Sequence, residues 1–148
     1  MVNLPFSQTC ENNKEPILNI LSNAFKDTNL VLEVGSGTGQ HALYFAKKLT
    51  HLYWQTGDLV ENHHSINHRI DQYHGDNILR PITLDLNLAW PEQASLSGCG
   101  YDGIFTANTL HIVSWLLVQK FFAGVAQHLS DNGTLCIGCR SGCDLKNQ

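Results

Sequence analysis

The stretch Val31-Leu32-Glu33-Val34-Gly35-Ser36-Gly37-Thr38-Gly39-Gln40 decides the fold of this chain. An apolar run that ends in Glu33 predicts a buried strand, and the alternating glycines that follow predict a tight turn. A helical pattern begins directly after the turn, so the loop should present free backbone N–H groups to a ligand. The alternative is a turn that only connects the strand to the helix. Glycines lose the most conformational entropy on folding, and such a turn would not need several alternating glycines.

Strand and helix patterns alternate on both sides of this stretch. Such alternation predicts an α/β fold, in which a doubly wound, mostly parallel, Rossmann-like sheet of about five strands is covered on both faces. Residues 1–148 are expected to form one domain. The predicted strands cover 30–34, 51–55 with an end near Asp58, 81–84, 101–107 and 134–137. The predicted helices cover 14–26 with Pro16 in the first turn, 40–49, 61–74, and the segment from a Ser114 cap to Leu129, which a turn at 131–133 follows.

Composition limits the possible partners and compartments. The chain has a formal net charge of −4, and its nine basic residues are scattered except for the adjacent Lys47 and Lys48. This argues against binding to nucleic acid or to a membrane surface. No apolar run reaches bilayer length, and the first residues lack the features of a signal peptide. We therefore expect a cytoplasmic protein with reduced cysteines.

The spacing of the glycines distinguishes two classes of nucleotide-binding loop. The dinucleotide fingerprint G-x-G-x-x-G would need glycine where Gln40 stands, which disfavours a nicotinamide oxidoreductase. The pattern Glu-x-Gly-x-Gly-x-Gly instead resembles motif I of class I methyltransferases that depend on S-adenosylmethionine (SAM). Glu33 also suits a cationic sulfonium and ammonium better than it suits a phosphate.

Several further segments extend this resemblance to nearly the whole chain, from about Pro5 to Ile137. They are 6–8, 11–18, 35–42, Trp54-Gln55 with Asp58, 106–112 and 129–133. Together they resemble the family catalogued as domain of unknown function 938, whose animal members are called methyltransferase-like protein 26. The resemblance implies a SAM-dependent methyltransferase-like domain with an unidentified acceptor. Many members carry arginine at the position of Asn12. Relatives also continue past the fifth strand, so this chain is expected to be C-terminally truncated and to lack strands six and seven.

The resemblance also implies which residues contact the cofactor. In a doubly wound sheet, ligands bind at the carboxyl ends of the strands, where the strand order reverses. The ribose hydroxyls would bind Asp58, the adenine amine would bind Asp85, and Leu86 would flank the adenine ring. An aspartate of an ordinary loop is the alternative for Asp58, and a solvated aspartate is the alternative for Asp85. The complete cofactor-binding set is Glu33, Gly35, Ser36, Gly37, Gly39, Asp58, Asp85, Leu86 and Asn108.

Asn108 and His111 follow the fourth strand, where enzymes of this class place groups that face the transferred methyl. Methyl transfer is an in-line displacement, so the protein mainly aligns the nucleophile with the methyl group. His111 is the candidate base if the nucleophile must lose a proton, and a packed structural histidine is the alternative. Thr109 and Leu110 replace the Pro-Pro-aromatic continuation of amino-methylating enzymes, so methylation of DNA or glutamine nitrogen gains no support.

Two clusters resemble metal sites, but neither predicts one. Cys136, Cys139 and Cys143 lack a fourth thiolate and reverse the spacing of radical SAM enzymes. A group of histidines lies on or near the predicted helix at 61–74. It has no third metal ligand in reach, which indicates a solvent-exposed face of that helix. This group consists of His63, His64, His68 and His74. No metal is expected.

Two functional hypotheses and one association hypothesis follow. The first function is a class I methyltransferase acting on a small molecule or a protein group. The second is a non-catalytic or vestigial SAM-fold protein, which the expected truncation favours. The truncation would also leave Thr134–Ile137 as an exposed apolar edge strand, through which the chain could associate with itself.

Overall fold

In the computed structural model, which describes residues 4–92, 100–138 and 146–147, helices and strands alternate along the chain. The helices are α1 (Gln8–Ala24), α2 (Gln40–Lys48), α3 (His63–Asp71) and α4 (Trp115–His128), and a short 3-10 helix (Val60–Asn62) precedes α3. The strands are β1 (Leu30–Glu33), β2 (Tyr53–Asp58), β3 (Ile78–Thr83), β4 (Tyr101–Ala107), β5 (Leu129–Gly138) and β6 (Lys146–Asn147).

The strands form one sheet in the order β3-β2-β1-β4-β5-β6. The first five are parallel, and β6 is antiparallel to β5. The chain steps outward from β1 to β3 and then returns to the other side of β1 with β4. The strand order therefore reverses between β1 and β4, which is where ligands bind in folds of this class. The predicted α/β fold is confirmed.

Alternate residues of the strands bury apolar side chains on opposite faces of the sheet. On one face, α1 and α2 cover a core that includes Leu21, Phe45 and Trp54. On the other face, α4 contributes Phe121 to a second core with Leu32 and other apolar residues. Because both faces of the sheet are packed, β1 is buried on both sides, which explains why its sequence begins as a continuous apolar run rather than an alternating pattern.

Helix α1 begins earlier than the sequence predicts. The predicted helix at 14–26 placed Pro16 in the first turn, whereas the observed helix begins at Gln8 and holds Pro16 in its interior. The Ser7 hydroxyl caps the N-terminus of the observed helix by accepting a hydrogen bond from the Cys10 N–H at 3.2 Å. Pro16 is exposed, so water can hydrate the carbonyl that its ring leaves unpaired. No helix in the described ranges is long and apolar enough to cross a membrane.

The edge of the sheet at β5 differs from the expected bare strand. Leu129 already pairs with Tyr101, and residues 130–133 then lie opposite the single residue 102, so the predicted turn at 131–133 is an irregularity within β5. On the outer side, Cys136 pairs with Asn147 and Ile137 pairs with Lys146. The predicted exposed edge at 134–137 is therefore covered at Cys136 and Ile137, because the chain folds back and pairs with these two residues.

Candidate functional site

The glycine loop lies directly beyond β1 and turns sharply over the end of β2. The N–H groups of Gly35 and Ser36 both donate to the Gly57 carbonyl, at 2.9 and 3.0 Å. Gly35, Gly37 and Gly39 all have positive φ, at 80°, 55° and 82°. A Cβ on Gly35 would collide with the Thr109 hydroxyl, whereas a Cβ on Gly37 would meet nothing within 4 Å. Gly37 therefore borders open space, as the sequence interpretation requires for a ligand against bare backbone.

Asp58 ends β2 and faces this loop. Its Oδ2 accepts the Gly37 N–H at 2.6 Å, and its Oδ1 accepts the Leu59 N–H at 2.7 Å. Each carboxylate oxygen has further lone pairs, so both oxygens can accept additional hydrogen bonds from a ligand. The structure thus brings the predicted ribose-binding carboxylate next to the predicted glycine loop.

Glu33 is a buried acid, with 2% of its surface exposed. The Trp54 ring nitrogen Nε1 donates to Glu33 Oε1 at 3.2 Å, and Ser36 provides a second side-chain hydrogen bond. Burial nevertheless raises the pKa of Glu33 to about 7, because these two donors offset only part of the cost of removing a carboxylate from water.

A cavity of about 560 Å³ opens where the carboxyl ends of β1, β2 and β4 meet. Its volume lies within the usual range for small-molecule sites. Eight of the nine predicted cofactor-binding residues line it, and they come from four separate segments of the chain. They are Glu33, Gly35, Ser36, Gly37, Asp58, Asp85, Leu86 and Asn108. Gly39, the N-cap residue of α2, does not line the cavity, because the position of its missing Cβ faces Ile66 and Arg69 of α3.

Two features of Asn108 are typical of a residue that contacts a ligand. It adopts φ of 63°, a left-handed conformation that non-glycine residues seldom take outside tight turns and functional sites. Its Oδ1 atom is buried and has no hydrogen-bond partner, the only such side-chain atom in the described part of the chain. An unsatisfied buried acceptor costs about 1–3 kcal/mol, which a donor on a bound ligand would remove.

Asp85 and Leu86 lie just beyond β3, on the opposite side of the cavity from Asn108. Asp85 Oδ1 accepts the Asn87 N–H at 2.9 Å, which fixes the carboxylate in a local turn. The Leu84 N–H donates to the Asp58 carbonyl at 2.9 Å and holds this loop against the end of β2. The structure therefore places both residues at the cavity wall, and their proposed contacts with adenine stay predictions.

His111 is exposed in the turn between β4 and α4 and does not line the cavity, although its neighbour Ile112 does. The structure therefore brings only Asn108 of the two predicted catalytic residues to the cavity. A catalytic role for His111 stays a prediction that requires the turn to move.

Two residues outside the predicted set hold the N-terminal segment against the site. Gln40 Oε1 accepts the Ser7 N–H at 2.6 Å, and Gln40 Nε2 donates to the Ser7 carbonyl at 3.2 Å. Arg69 reaches from α3 and donates to the carbonyls of Thr38 and Pro5, both at 2.7 Å. Ser7 and Cys10 consequently form one wall of the cavity. The sequence offered no local signal for these contacts, because they join segments more than 25 residues apart.

His41 adds a buried imidazole to the cavity lining. Its Nε2 lies 2.9 Å from Asn13 Oδ1, and burial lowers its pKa to about 4. The ring is therefore neutral near pH 7.

The charged side chains that line the cavity are all acidic. They are Glu33, Asp58 and Asp85, and none of the lining residues is Lys or Arg, so the cavity suits a cationic ligand.

The predicted cysteine and histidine clusters do not converge on a metal site in the described ranges. Cys139 and Cys143 lie outside the described residues. His64 and His68 both belong to α3, and their rings stack against each other with centroids 6.2 Å apart. Within the part of the chain that the structure describes, no three His, Cys, Asp or Glu side chains are arranged to hold a metal ion.

The sequence model of the family described as "Protein of unknown function (DUF938)" matches residues 4–139. The match spans most of the chain and includes the glycine loop, Asp58 and Asn108. It also includes Ser7 and Gln40, which join the N-terminal segment to the loop.

Comparison with solved structures identifies methyltransferases that share the fold. The apo form of the SAM-dependent methyltransferase SibL has a TM-score of 0.73 at 17% identity and covers 86% of this chain. Human N-acetylserotonin methyltransferase in complex with SAM has a TM-score of 0.66 at 14% identity and also covers 86%. SAM-bound CalS10 from Micromonospora echinaspora, an amino pentose methyltransferase, has a TM-score of 0.65 at 18% identity and covers 93%. The chain spans 35%, 34% and 58% of these proteins' lengths.

Proposed function

This chain belongs to the DUF938 family and has the fold of class I SAM-dependent methyltransferases, and we propose that it binds SAM and transfers its methyl group to an acceptor. One observation carries the proposal. The glycine loop, the Asp58 carboxylate and Asn108 meet at a single cavity where the strand order reverses. Each was predicted from the sequence as part of a SAM site.

Three features of the cavity fit this cofactor. The open space over Gly37 admits a ligand against the backbone, and both oxygens of Asp58 have lone pairs for a pair of vicinal hydroxyls. The orphaned Oδ1 of Asn108 needs a donor, such as an ammonium group. The acidic lining offsets the positive charge of a sulfonium. Glu33, Gly35, Ser36, Gly37, Asp58, Asp85, Leu86 and Asn108 would hold the cofactor.

When bound, SAM supplies an electrophilic methyl group on its sulfonium sulfur. The residues of the chain would contribute by holding the donor in one orientation and by excluding water. Apolar side chains line the cavity beyond Asn108, and Ile112 and Val113 are two of them. We place the acceptor on this side, with Asn108 oriented by its left-handed backbone at the boundary between donor and acceptor. A base is needed only for an acceptor that must lose a proton.

Calorimetric titration with SAM, S-adenosylhomocysteine (SAH) and NAD tests the binding part of this proposal. We expect SAM and SAH to bind and NAD not to bind. Asp58→Asn should weaken SAM binding by roughly 10- to 150-fold, because hydrogen bonds to a charged group contribute about 1.5–3 kcal/mol. His111→Asn is the matched control, since this exposed residue lies outside the cavity lining, and we expect unchanged affinity.

Methylation of acceptors with radiolabelled SAM separates catalysis from binding alone. Transfer of label to a small-molecule or protein acceptor would support a methyltransferase. Tight SAM binding with no transfer to any acceptor would instead favour the non-catalytic SAM-fold protein. NAD binding in the absence of SAM affinity would contradict both interpretations.

A further inference from the structure

The charged side chains that line the cavity all lie toward one end of it. They come from β1, β2 and the loop beyond β3, and they are Glu33, Asp58 and Asp85. The other end is formed by the turn after β4 and the first turn of α4, which contribute Ile112, Val113 and Leu117. Because β4 adjoins β1 on the side away from β2 and β3, these three side chains form an apolar end of the cavity, opposite the two aspartates.

The apolar end offers no partner for a charged group of a ligand. Residues 112–117 of the sequence include no acid and no base. The one hydroxyl among them belongs to Ser114, and it already accepts the Leu117 N–H at 3.3 Å to cap α4. None of the described residues that line the cavity is Lys or Arg, so an anionic group would find no cation here. A buried charge without a partner is costly, and this end of the cavity therefore disfavours charged ligands.

Backbone hydrogen bonds fix the shape of the apolar end. The Ile112 N–H donates to the Thr109 carbonyl at 3.2 Å, and the Asn108 N–H donates to the Gly138 carbonyl at 3.3 Å. The Thr109 side chain in turn lies against Gly35 of the glycine loop. Ile112 lines the cavity although 79% of its surface is exposed, so its side chain stands at the opening. The apolar end is therefore held in place and open to a molecule that enters from solvent.

We propose that the apolar end binds the methyl acceptor and that the acceptor is an uncharged molecule with an apolar body, such as a neutral aromatic compound. This inference rests on the proposed function, because it names the substrate class for the acceptor side of the same cavity. With the cofactor along the glycine loop and Asp58, the side chains of the apolar end are available to a second molecule. A cationic acceptor is further disfavoured, because it would face the sulfonium of the cofactor, which carries the same sign of charge.

Two fluorescent probes that differ by one charged group test the substrate class. N-phenyl-1-naphthylamine is uncharged, and 8-anilinonaphthalene-1-sulfonate has the same rings with a sulfonate added. Both become brighter in apolar surroundings, so titration of the SAH-loaded chain gives an affinity for each probe. We expect the uncharged probe to bind about tenfold more tightly, since the sulfonate finds no partner. Ile112→Lys should cancel or reverse this preference, because it supplies a cation at the opening.

Two further variants locate the bound probe. Ile112→Asp should weaken binding of the uncharged probe by about tenfold, because it places a carboxylate where the apolar rings would lie. Val60→Asp is the matched control, since Val60 is another exposed aliphatic residue and lies outside the cavity lining, and we expect an unchanged affinity. Both positions are exposed, so neither substitution should disturb the fold.

The outcomes separate this inference from the proposed function. Equal affinities for the two probes, or an Ile112→Asp variant that binds the uncharged probe like wild type, would overturn the assignment of the apolar end while SAH binding stood. Displacement of the uncharged probe by a lysine-containing peptide would also overturn it, in favour of a protein acceptor. Failure of the chain to bind SAH in the calorimetric titration would overturn the proposed function and this inference with it.

Discussion

Replacing Glu33 with Gln should change how the stability of the ligand-free protein depends on pH. The folded chain holds the Glu33 proton up to about pH 7, whereas an unfolded glutamate loses it near pH 4.5. Between these values the folded state binds more protons, so this group makes the free energy of unfolding fall as pH rises. One pH unit is worth about 1.4 kcal/mol, so the loss approaches roughly 3 kcal/mol at neutral pH.

His41 acts with the opposite sign over almost the same range. Its folded pKa is about 4 and its ordinary value is 6.5, so the unfolded state binds more protons between these values. The His41 contribution therefore raises the free energy of unfolding as pH increases, while the Glu33 contribution lowers it. The two largely cancel in the wild-type chain, which should show little net dependence from these groups between about pH 4.5 and 6.5.

Urea unfolding at a series of pH values exposes each contribution. Relative to wild type, Glu33→Gln should gain stability steadily from pH 4.5 to pH 7.5, by on the order of 3 kcal/mol in total. His41→Gln should show the opposite trend between pH 6.5 and pH 4, becoming relatively more stable as pH falls. A difference between Glu33→Gln and wild type that is constant across this range would refute the argument, because it would mean that Glu33 titrates alike in the folded and unfolded chains.

Two further predictions concern the loop and the edge of the sheet. Gly35→Ala should destabilise the fold by about 1–3 kcal/mol, through its left-handed backbone and a collision with the Thr109 hydroxyl. Gly37→Ala has the same sign of φ but open space around it, so urea unfolding should show a smaller loss; an equal loss would contradict the collision. Self-association through 134–137 should increase when residues 146–148 are deleted, because Cys136 and Ile137 then lose their pairing. Light scattering after size exclusion tests this, and an unchanged mass would exclude that edge.

The elements around the glycine loop could be predicted from sequence because their signals are local. An apolar run that is followed by Gly35 and Gly37 has few alternatives to a strand with a tight turn after it. The approach of Asp58 to this loop also followed, since neighbouring parallel strands bring their carboxyl ends to one edge. These features determine the placement of the cavity, and they are the ones that the structure reproduces.

The remaining differences arise from contacts that are distant in sequence. The start of α1 is set by the Ser7 cap and its contacts with Gln40, neither of which produces an apolar period, whereas Pro16 resembles a helix start. The return of residues 146–147 to the edge of β5 likewise has no local signature. The burial of Glu33, and so its unusual titration, depends on Trp54 and on the packing of the whole cavity wall.

Gln40 connects the pattern of the glycine loop to the packing of the N-terminal segment. It occupies the position where a dinucleotide-binding loop has its last glycine, and its amide also clasps the backbone of Ser7 in both directions. A mutation to glycine would make the loop match the dinucleotide fingerprint, but it would remove both hydrogen bonds to Ser7 in the same step. The residue that breaks the dinucleotide pattern is therefore also one that fastens a wall of the site, so changing the loop toward that pattern would loosen the wall.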